Sequence, residues 1–175
     1  VRFLYGRVNG IMHCAGIEKE NLVLDKNFEE FNEVVSSKIA GTWLLDHLTE
    51  KDNPDFFIMC SSAITLFNIR GQSDYVAANS YLDGYSTFRK GKKTLTVNWP
   101  GWKEVGLGIK ENQILENNHN GLFKYISNKQ AIKVFEKISN KKLSHVCVGE
   151  INEIDEQFID LALKHLNFIL SDNVR

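Results

Sequence analysis

The strongest constraint on this chain is a regular alternation of short apolar runs with long stretches of helical periodicity. Val8 to His13 reads as a buried strand, and the small residues of Cys14-Ala15-Gly16 turn the chain sharply after it. Phe28 to Thr49 places Phe28, Phe31, Val34, Val35, Ile39, Leu44, Leu45 and Leu48 at helical spacing. Asp55 to Cys60 predicts a second buried strand, entered through the Asn53-Pro54 turn. Gln72 to Arg89 predicts a second long helix, and Thr94 to Trp99 a third strand ended by Pro100-Gly101. Ser127 is placed to cap a helix over Asn128 to Ser139. Ser144 to Val148 predicts a fourth strand, and Glu153 to Leu170 a closing helix. Ile109 to Lys124, polar and rich in asparagine, reads as a long insertion within a lid of about 103–126.

Strands that alternate with helices of this length are joined by crossovers and lie parallel. The expected layout is an α/β doubly wound sheet with helices on both faces. In such sheets ligands meet the carboxyl ends of the strands. Cys14-Ala15-Gly16 and Ser61-Ser62 both fall at such ends.

The 175 residues make one domain or part of one, and a net charge of −1 gives no electrostatic case for nucleic acid or a membrane surface. Cys14, Cys60 and Cys147 show no CxxC spacing, and each adjoins an apolar run. They are expected to be buried, reduced thiols of an intracellular protein, neither disulfides nor metal ligands. No apolar run reaches the roughly 18 residues of a membrane span, and no signal peptide pattern opens the chain, so a cytoplasmic protein is expected. His13 is expected to be packed or backbone-bonded, and His47, His119, His145 and His165 lack metal-ligand spacing, so no metal site is expected. Trp99 and Trp102 read as packing residues, and Arg89-Lys90-Gly91-Lys92-Lys93 as a solvated loop.

One constellation carries chemistry. Lys38, Ser62, Tyr75 and Asn79 fall on three adjoining predicted elements, and Tyr75 and Asn79 share a helix face one turn apart. A phenol with an ordinary pKa of about 10 is a poor acid at neutral pH. A nearby ammonium favours the phenolate and lowers that value, which is the natural role of Lys38. Ser62 is suited to hydrogen-bond a carbonyl oxygen, and Asn79 to fix the lysine or a proton-relaying water. These are the parts needed to protonate an alkoxide as a hydride arrives, and the hydride must come from a cofactor.

The constellation and its surroundings resemble the catalytic half of ketoreductase domains of modular polyketide synthases, within the short-chain dehydrogenase/reductase superfamily. The matching stretches are Gly10-Ile11-Met12-His13-Cys14-Ala15-Gly16-Ile17, Lys38-Ile39-Ala40-Gly41-Thr42 and Asp55-Phe56-Phe57-Ile58-Met59-Cys60-Ser61-Ser62. Gly71 to Asp83 and Val97-Asn98-Trp99-Pro100-Gly101-Trp102 continue the match. Ordinary members of the superfamily carry lysine four residues after the tyrosine. Asn79 there, with Lys38 on the preceding helix, is the ketoreductase-domain pattern.

The resemblance implies a Rossmann-like sheet and NADPH-dependent reduction of a β-keto group on an acyl chain tethered to an acyl carrier protein by phosphopantetheine. It implies Tyr75 as proton donor, Ser62 as carbonyl binder, and Lys38 and Asn79 as the supporting pair. Cys14, Ala15, Gly16, Pro100 and Gly101, with Lys38 and Tyr75, would line the cofactor. The remaining part of the domain and neighbouring synthase domains are the implied partners.

Two departures qualify the match. The family's glycine-rich phosphate loop and first strands lie ahead of the Val8 strand, and no G-x-G-x-x-G occurs at a strand-to-helix turn in this chain. The sequence is therefore expected to be the carboxy-terminal part of one domain and to bind NADPH poorly alone. Glu20 stands where domains of one stereochemical type carry aspartate, and Phe67 where the opposite type carries tryptophan, a lean toward the first type. A non-catalytic structural or docking half-domain, or a fatty-acid-type reductase, remains an alternative reading.

Overall fold

The computed structural model describes residues 2–67, 69–89, 92–107 and 123–150. A short helix α1 (Arg2–Tyr5) precedes β1 (Gly10–His13), α2 (Phe28–Thr49), β2 (Phe56–Ser62), α3 (Ser73–Phe88), β3 (Thr94–Trp99), α4 (Asn128–Ser139) and β4 (His145–Cys147). The four strands form one parallel sheet in the order β1-β2-β3-β4. Each connection between neighbours carries a helix, as parallel pairing requires.

Alternate residues of the strands serve opposite faces of this sheet. Phe57 and Met59 of β2 join Ile11, Leu82 and Tyr85 in the core beneath α2 and α3. Ile58, together with Leu95 and Val97, joins Ile126, Ala131, Ile138 and Val148 in the core beneath α4. Both faces are covered, so the chain is the expected doubly wound α/β sheet. Thr96, facing α3, meets its polar requirement by donating to the Leu82 carbonyl at 3.1 Å.

Caps set the helix starts. Asn27 accepts from the Glu30 N–H at 2.8 Å, and Ser127 with Gln130 forms a capping box at α4. The spans Phe28–Thr49, Thr94–Trp99 and Asn128–Ser139 agree with the sequence expectation. β1 begins two residues later than Val8, where the Phe56 ring crosses Gly10 so closely that a Cβ would stand 2.2 Å from it. β2 runs on past Cys60 to Ser62, because Asn98 and Trp99 of β3 provide ladder partners for Ser61 and Ser62. The helical turn α1 had no counterpart in the sequence reading; Arg2 holds it to Asp52 at 2.6 Å.

Three further expectations change. Only Val34 of the predicted apolar stripe on α2 is fully buried, and Phe28, Leu44 and Leu48 are exposed. Arg89 is not in a solvated loop: it forks onto Asp46 at 2.9 and 3.0 Å, donates to Thr94 Oγ1 at 2.6 Å and lies 4.2 Å over the Phe57 ring. A planar guanidinium that satisfies its donors this fully can be buried. The predicted helix over 153–170, and the insertion from 109 through 122, lie outside the described residues. Among the described residues no helix is long and apolar enough to cross a membrane.

Candidate active site

The carboxyl ends of β1 and β2 and the start of α3 meet beside the middle of α2. Ser62 closes β2, and its Oγ accepts from the Ile64 N–H at 3.3 Å, capping the 3-10 turn Ala63–Leu66. Its main-chain carbonyl accepts from Asn98 Nδ2 at 3.2 Å. The same amide donates to Thr65 Oγ1 at 2.8 Å and Asp83 Oδ2 at 3.0 Å, while Asn98 Oδ1 meets His145 Nε2 at 2.6 Å. A polar network therefore ties β2, β3, β4 and α3 together behind Ser62.

Tyr75 lies in the first turn of α3, half-buried, and Asn79 one turn further on is fully buried. Asn79 Nδ2 donates back to the Tyr75 carbonyl at 2.8 Å, and Ser61 Oγ donates to the Asn79 carbonyl at 3.2 Å. Asn79 Oδ1 is buried and has no hydrogen-bond partner among the described residues. A buried acceptor without a donor is costly.

Lys38 shares the inward face of α2 with Val34 and Thr42 at four-residue steps. Its Nζ donates to the Cys60 carbonyl at 2.8 Å, two residues short of Ser62. Burial pushes the pKa of this amine down, and the thiols of Cys60 and Cys14 and the Asp83 carboxylate act in the opposite direction. Gly16 approaches so closely that a Cβ would stand 3.3 Å from Lys38 Cε and 3.5 Å from Nζ. His13, one strand position before Cys14, is packed, as expected, against Gly41 of α2. Burial first, and the charge of Lys38 second, hold its imidazole below its ordinary pKa.

The cysteines depart from expectation. Cys14 is exposed, Cys60 is half-buried, and their Sγ atoms lie 3.2 Å apart. The reason is register: His13 pairs with Met59, so the next residues of the two parallel chains fall opposite each other. No spacing rule in a sequence links two cysteines 46 positions apart.

Pro100 is buried after β3, and the Gly101 carbonyl accepts from the Ile126 N–H at 3.0 Å. A Cβ on Gly101 would stand 2.1 Å from the Tyr125 ring, so only glycine lets the two chains pass. Trp102 bridges Ile126 and stacks edge-on against Trp99 at 5.3 Å, packed on the α4 core. Both flanks of the predicted lid are thus joined beside the end of β3.

Sequence reasoning missed a second group. Lys26 Nζ donates to Asp74 Oδ2 at 2.8 Å and to the Lys19 carbonyl at 2.6 Å. Asp74 Oδ1 accepts from the Tyr75 N–H at 2.8 Å. Gln72 Nε2 meets Glu18 Oε1, and the Asn21 N–H donates to the Gly71 carbonyl at 3.1 Å. These contacts stitch the loop after Gly16, including Glu20 beside Gly71, to the start of α3. Asp74 beside Tyr75 was the available signal, but nothing in the sequence paired it with Lys26.

A parallel sheet covered on both faces, with this cluster at its carboxyl ends, is the Rossmann-like architecture of short-chain dehydrogenases and reductases. The chain belongs to the KR, or ketoreductase, domain family, whose model matches residues 2–104. Domains of this family are nicotinamide-dependent oxidoreductases. The chain is 39% identical over 114 residues to polyketide synthase PksL of Bacillus subtilis, covering 61% of this chain and 2% of that protein. It is 36% identical over 121 residues to polyketide synthase PksN of the same organism, covering 65% of this chain and 2% of that protein. The fold matches the N-terminal ketoreductase from the macrolactin assembly line with a TM-score of 0.75 and 30% identity, over 92% of this chain and 31% of that one. A ketoreductase domain from the bacillaene assembly line gives 0.72 and 29%, over 94% and 40%. The chain thus spans a small part of the curated synthases it resembles and under half of either ketoreductase chain.

Proposed function

We propose that this chain carries the proton-handling part of an NADPH-dependent ketoreductase domain. Its substrate is a β-ketoacyl chain held on an acyl carrier protein by phosphopantetheine, and its product the β-hydroxyacyl chain. What supports this reading is that Ser62 closes β2, that Tyr75 and Asn79 stand one turn apart at the start of α3, and that Lys38 Nζ is held 2.8 Å from the Cys60 carbonyl, two residues before Ser62.

The residues fit a bound nicotinamide dinucleotide. Cys14 and Ala15 are exposed, Gly16 leaves space beside the Lys38 amine that a Cβ would take, and Asn79 Oδ1 is a buried acceptor with no hydrogen-bond partner among the described residues. Cys14, Ala15, Gly16, Pro100 and Gly101 would hold the cofactor with Lys38 and Tyr75. When bound, NADPH supplies the hydride.

The chain's own groups manage the oxygen. Ser62 Oγ accepts from Ile64, which leaves its own hydrogen to donate to the substrate carbonyl. The Tyr75 phenol gives its proton to the oxygen as negative charge develops there. The Lys38 ammonium favours the resulting phenolate and so makes Tyr75 a stronger acid. Asn79 Oδ1 accepts from the group that returns a proton to Tyr75, either the lysine or a relay water. Relatives are components of multidomain synthases, which supports neighbouring synthase domains as partners.

The test is NADPH oxidation by the intact synthase polypeptide with a β-ketoacyl thioester on its carrier protein. Tyr75→Phe is expected to lower kcat about 10²- to 10⁴-fold, the usual contribution of a positioned acid. Failure of the unaltered polypeptide to oxidise NADPH would leave the structural half-domain reading in its place.

A further inference from the structure

We infer that Cys14 and Cys60 form a hydroperoxide-oxidisable dithiol that closes to a disulfide across the ends of β1 and β2. The effect of that bond on catalysis rests on the reductase reading above; the oxidation itself does not.

Geometry carries the inference. Register puts the two residues opposite each other, one position beyond the His13–Met59 pair. Adjacent parallel strands are about 4.8 Å apart, inside the Cα separation of about 4.4–6.8 Å that a disulfide spans. The Sγ atoms are already 3.2 Å apart, so closing to about 2.05 Å needs side-chain rotation and an approach of about 1 Å. Cys14 is exposed, which lets a small oxidant reach it, while Cys60 stands half-buried behind.

The electrostatics divide the roles. A hydrogen bond from Cys60 lowers the pKa of Cys14 against the effect of burial, with help from the Lys38 charge, to about 7. An exposed thiol whose pKa is lowered in this way is the nucleophile of the pair. Cys60 is held well above its ordinary value, first by its hydrogen bond with Cys14, then by burial and by the Cys14 charge. Two of those three causes vanish once Cys14 is oxidised and neutral. Lys38 remains to favour the Cys60 thiolate.

The Cys14 thiolate attacks one oxygen of the hydroperoxide and the O–O bond breaks. Sulfur becomes a sulfenic acid, and the departing oxygen leaves as alcohol or water after taking a proton. Cys60 then loses its proton and attacks the Cys14 sulfur, and hydroxide leaves as water with that proton. In sum two thiols lose two electrons and two protons, and one hydroperoxide becomes an alcohol and one water. A dithiol reductant reverses the bond by exchange.

The bond lies where the site is least tolerant. The Cys60 carbonyl is the acceptor that holds Lys38 Nζ, and Cys14 opens the segment whose Gly16 faces that amine. Drawing the two side chains together shifts both. The oxidised form is expected to lose about tenfold or more of its reductase activity, since displacements of about 1 Å cost that much or more.

The experiment treats the intact polypeptide with hydrogen peroxide, maps its peptides without reduction, and measures NADPH oxidation before and after. The expected result is a Cys14–Cys60 linked peptide two hydrogens lighter than its separate parts, lost on treatment with a dithiol as activity returns. Cys60→Ser is expected to abolish the link and leave Cys14 as a sulfenic acid trapped by dimedone, while Cys147→Ser leaves the link unchanged. Peroxide treatment that yields no link, or a sulfinic acid on Cys14 in its place, would overturn the inference. A reversible link in a polypeptide that never oxidises NADPH would uphold the oxidation site and count against the reductase reading alone.

Discussion

Lys26 and Asp74 form an ion pair of 2.8 Å from which solvent is almost wholly excluded, with side-chain exposures of 3% and 0%. The pair pins the loop that follows Gly16 to the residue just before Tyr75. Removing one partner would strand a buried charge, whereas neutralising both would not.

Lys26→Met is therefore expected to lower the stability of the intact domain by about 3–5 kcal/mol. Lys26→Met combined with Asp74→Asn should sit closer to the unaltered protein than Lys26→Met alone, because Asn Oδ1 still accepts from the Tyr75 N–H. Thermal or denaturant unfolding of the single and double variants checks the coupling. Additive losses would show that the pair does not act as a unit.

Lys38→Met removes a buried ammonium that donates to the Cys60 carbonyl. On the proposed mechanism, the phenol of Tyr75 then loses the charge that favours its ionised form. The expected outcome is a fall in kcat of about 10²-fold or more, with the residual pH–rate profile displaced to higher pH. Steady-state kinetics across pH would check both parts, and an unmoved profile would remove Lys38 from the acid's control.

Asn98→Leu takes away the donor shared by the Ser62 carbonyl, Thr65 and Asp83, and the acceptor facing His145. Buried acceptors left without a donor cost about 1–3 kcal/mol each. The variant is expected to be destabilised by at least that amount and to lose kcat more than it gains KM, since Ser62 shifts with its strand. Melting curves and a KM-against-kcat comparison check it.

His13 gives a pH dependence with a definite sign. Burial, and then the Lys38 charge, lower its pKa in the folded state below the ordinary value of 6.5. Above that value neither state binds the proton and His13 has no effect on stability. As pH falls below it, the unfolded chain takes up a proton that the folded chain refuses, so stability falls until the folded pKa is reached. His13→Gln should flatten this limb of the stability curve below pH 6.5 and leave the limb above it unchanged in slope.

Much of the architecture was legible because hydrophobic periodicity is local. Strands two and three, the two long helices and the capped α4 follow from runs of a few residues and their punctuation, and parallel order follows from their alternation. Boundaries moved where a distant partner decided them. β2 continued to Ser62 because β3 reaches Trp99 beside it, and β1 started at Gly10 because its ladder partner Phe56 is the first residue of β2.

The four candidate residues were also found in the sequence, through spacing within short segments and a family resemblance. By itself the sequence determined the fold class and the Ser127 cap, and it proposed an acid, amine, hydroxyl and amide for the candidate site. Tertiary structure alone decided their surroundings: that Lys38 hangs on the Cys60 carbonyl, that Asn98 braces Ser62, that Lys26 closes on Asp74 and that Cys14 meets Cys60. These contacts join residues 22 to 48 positions apart. Periodicity carries information over one or two turns of chain, whereas strand register and the packing of a helix on a sheet choose partners only once the whole sheet is assembled.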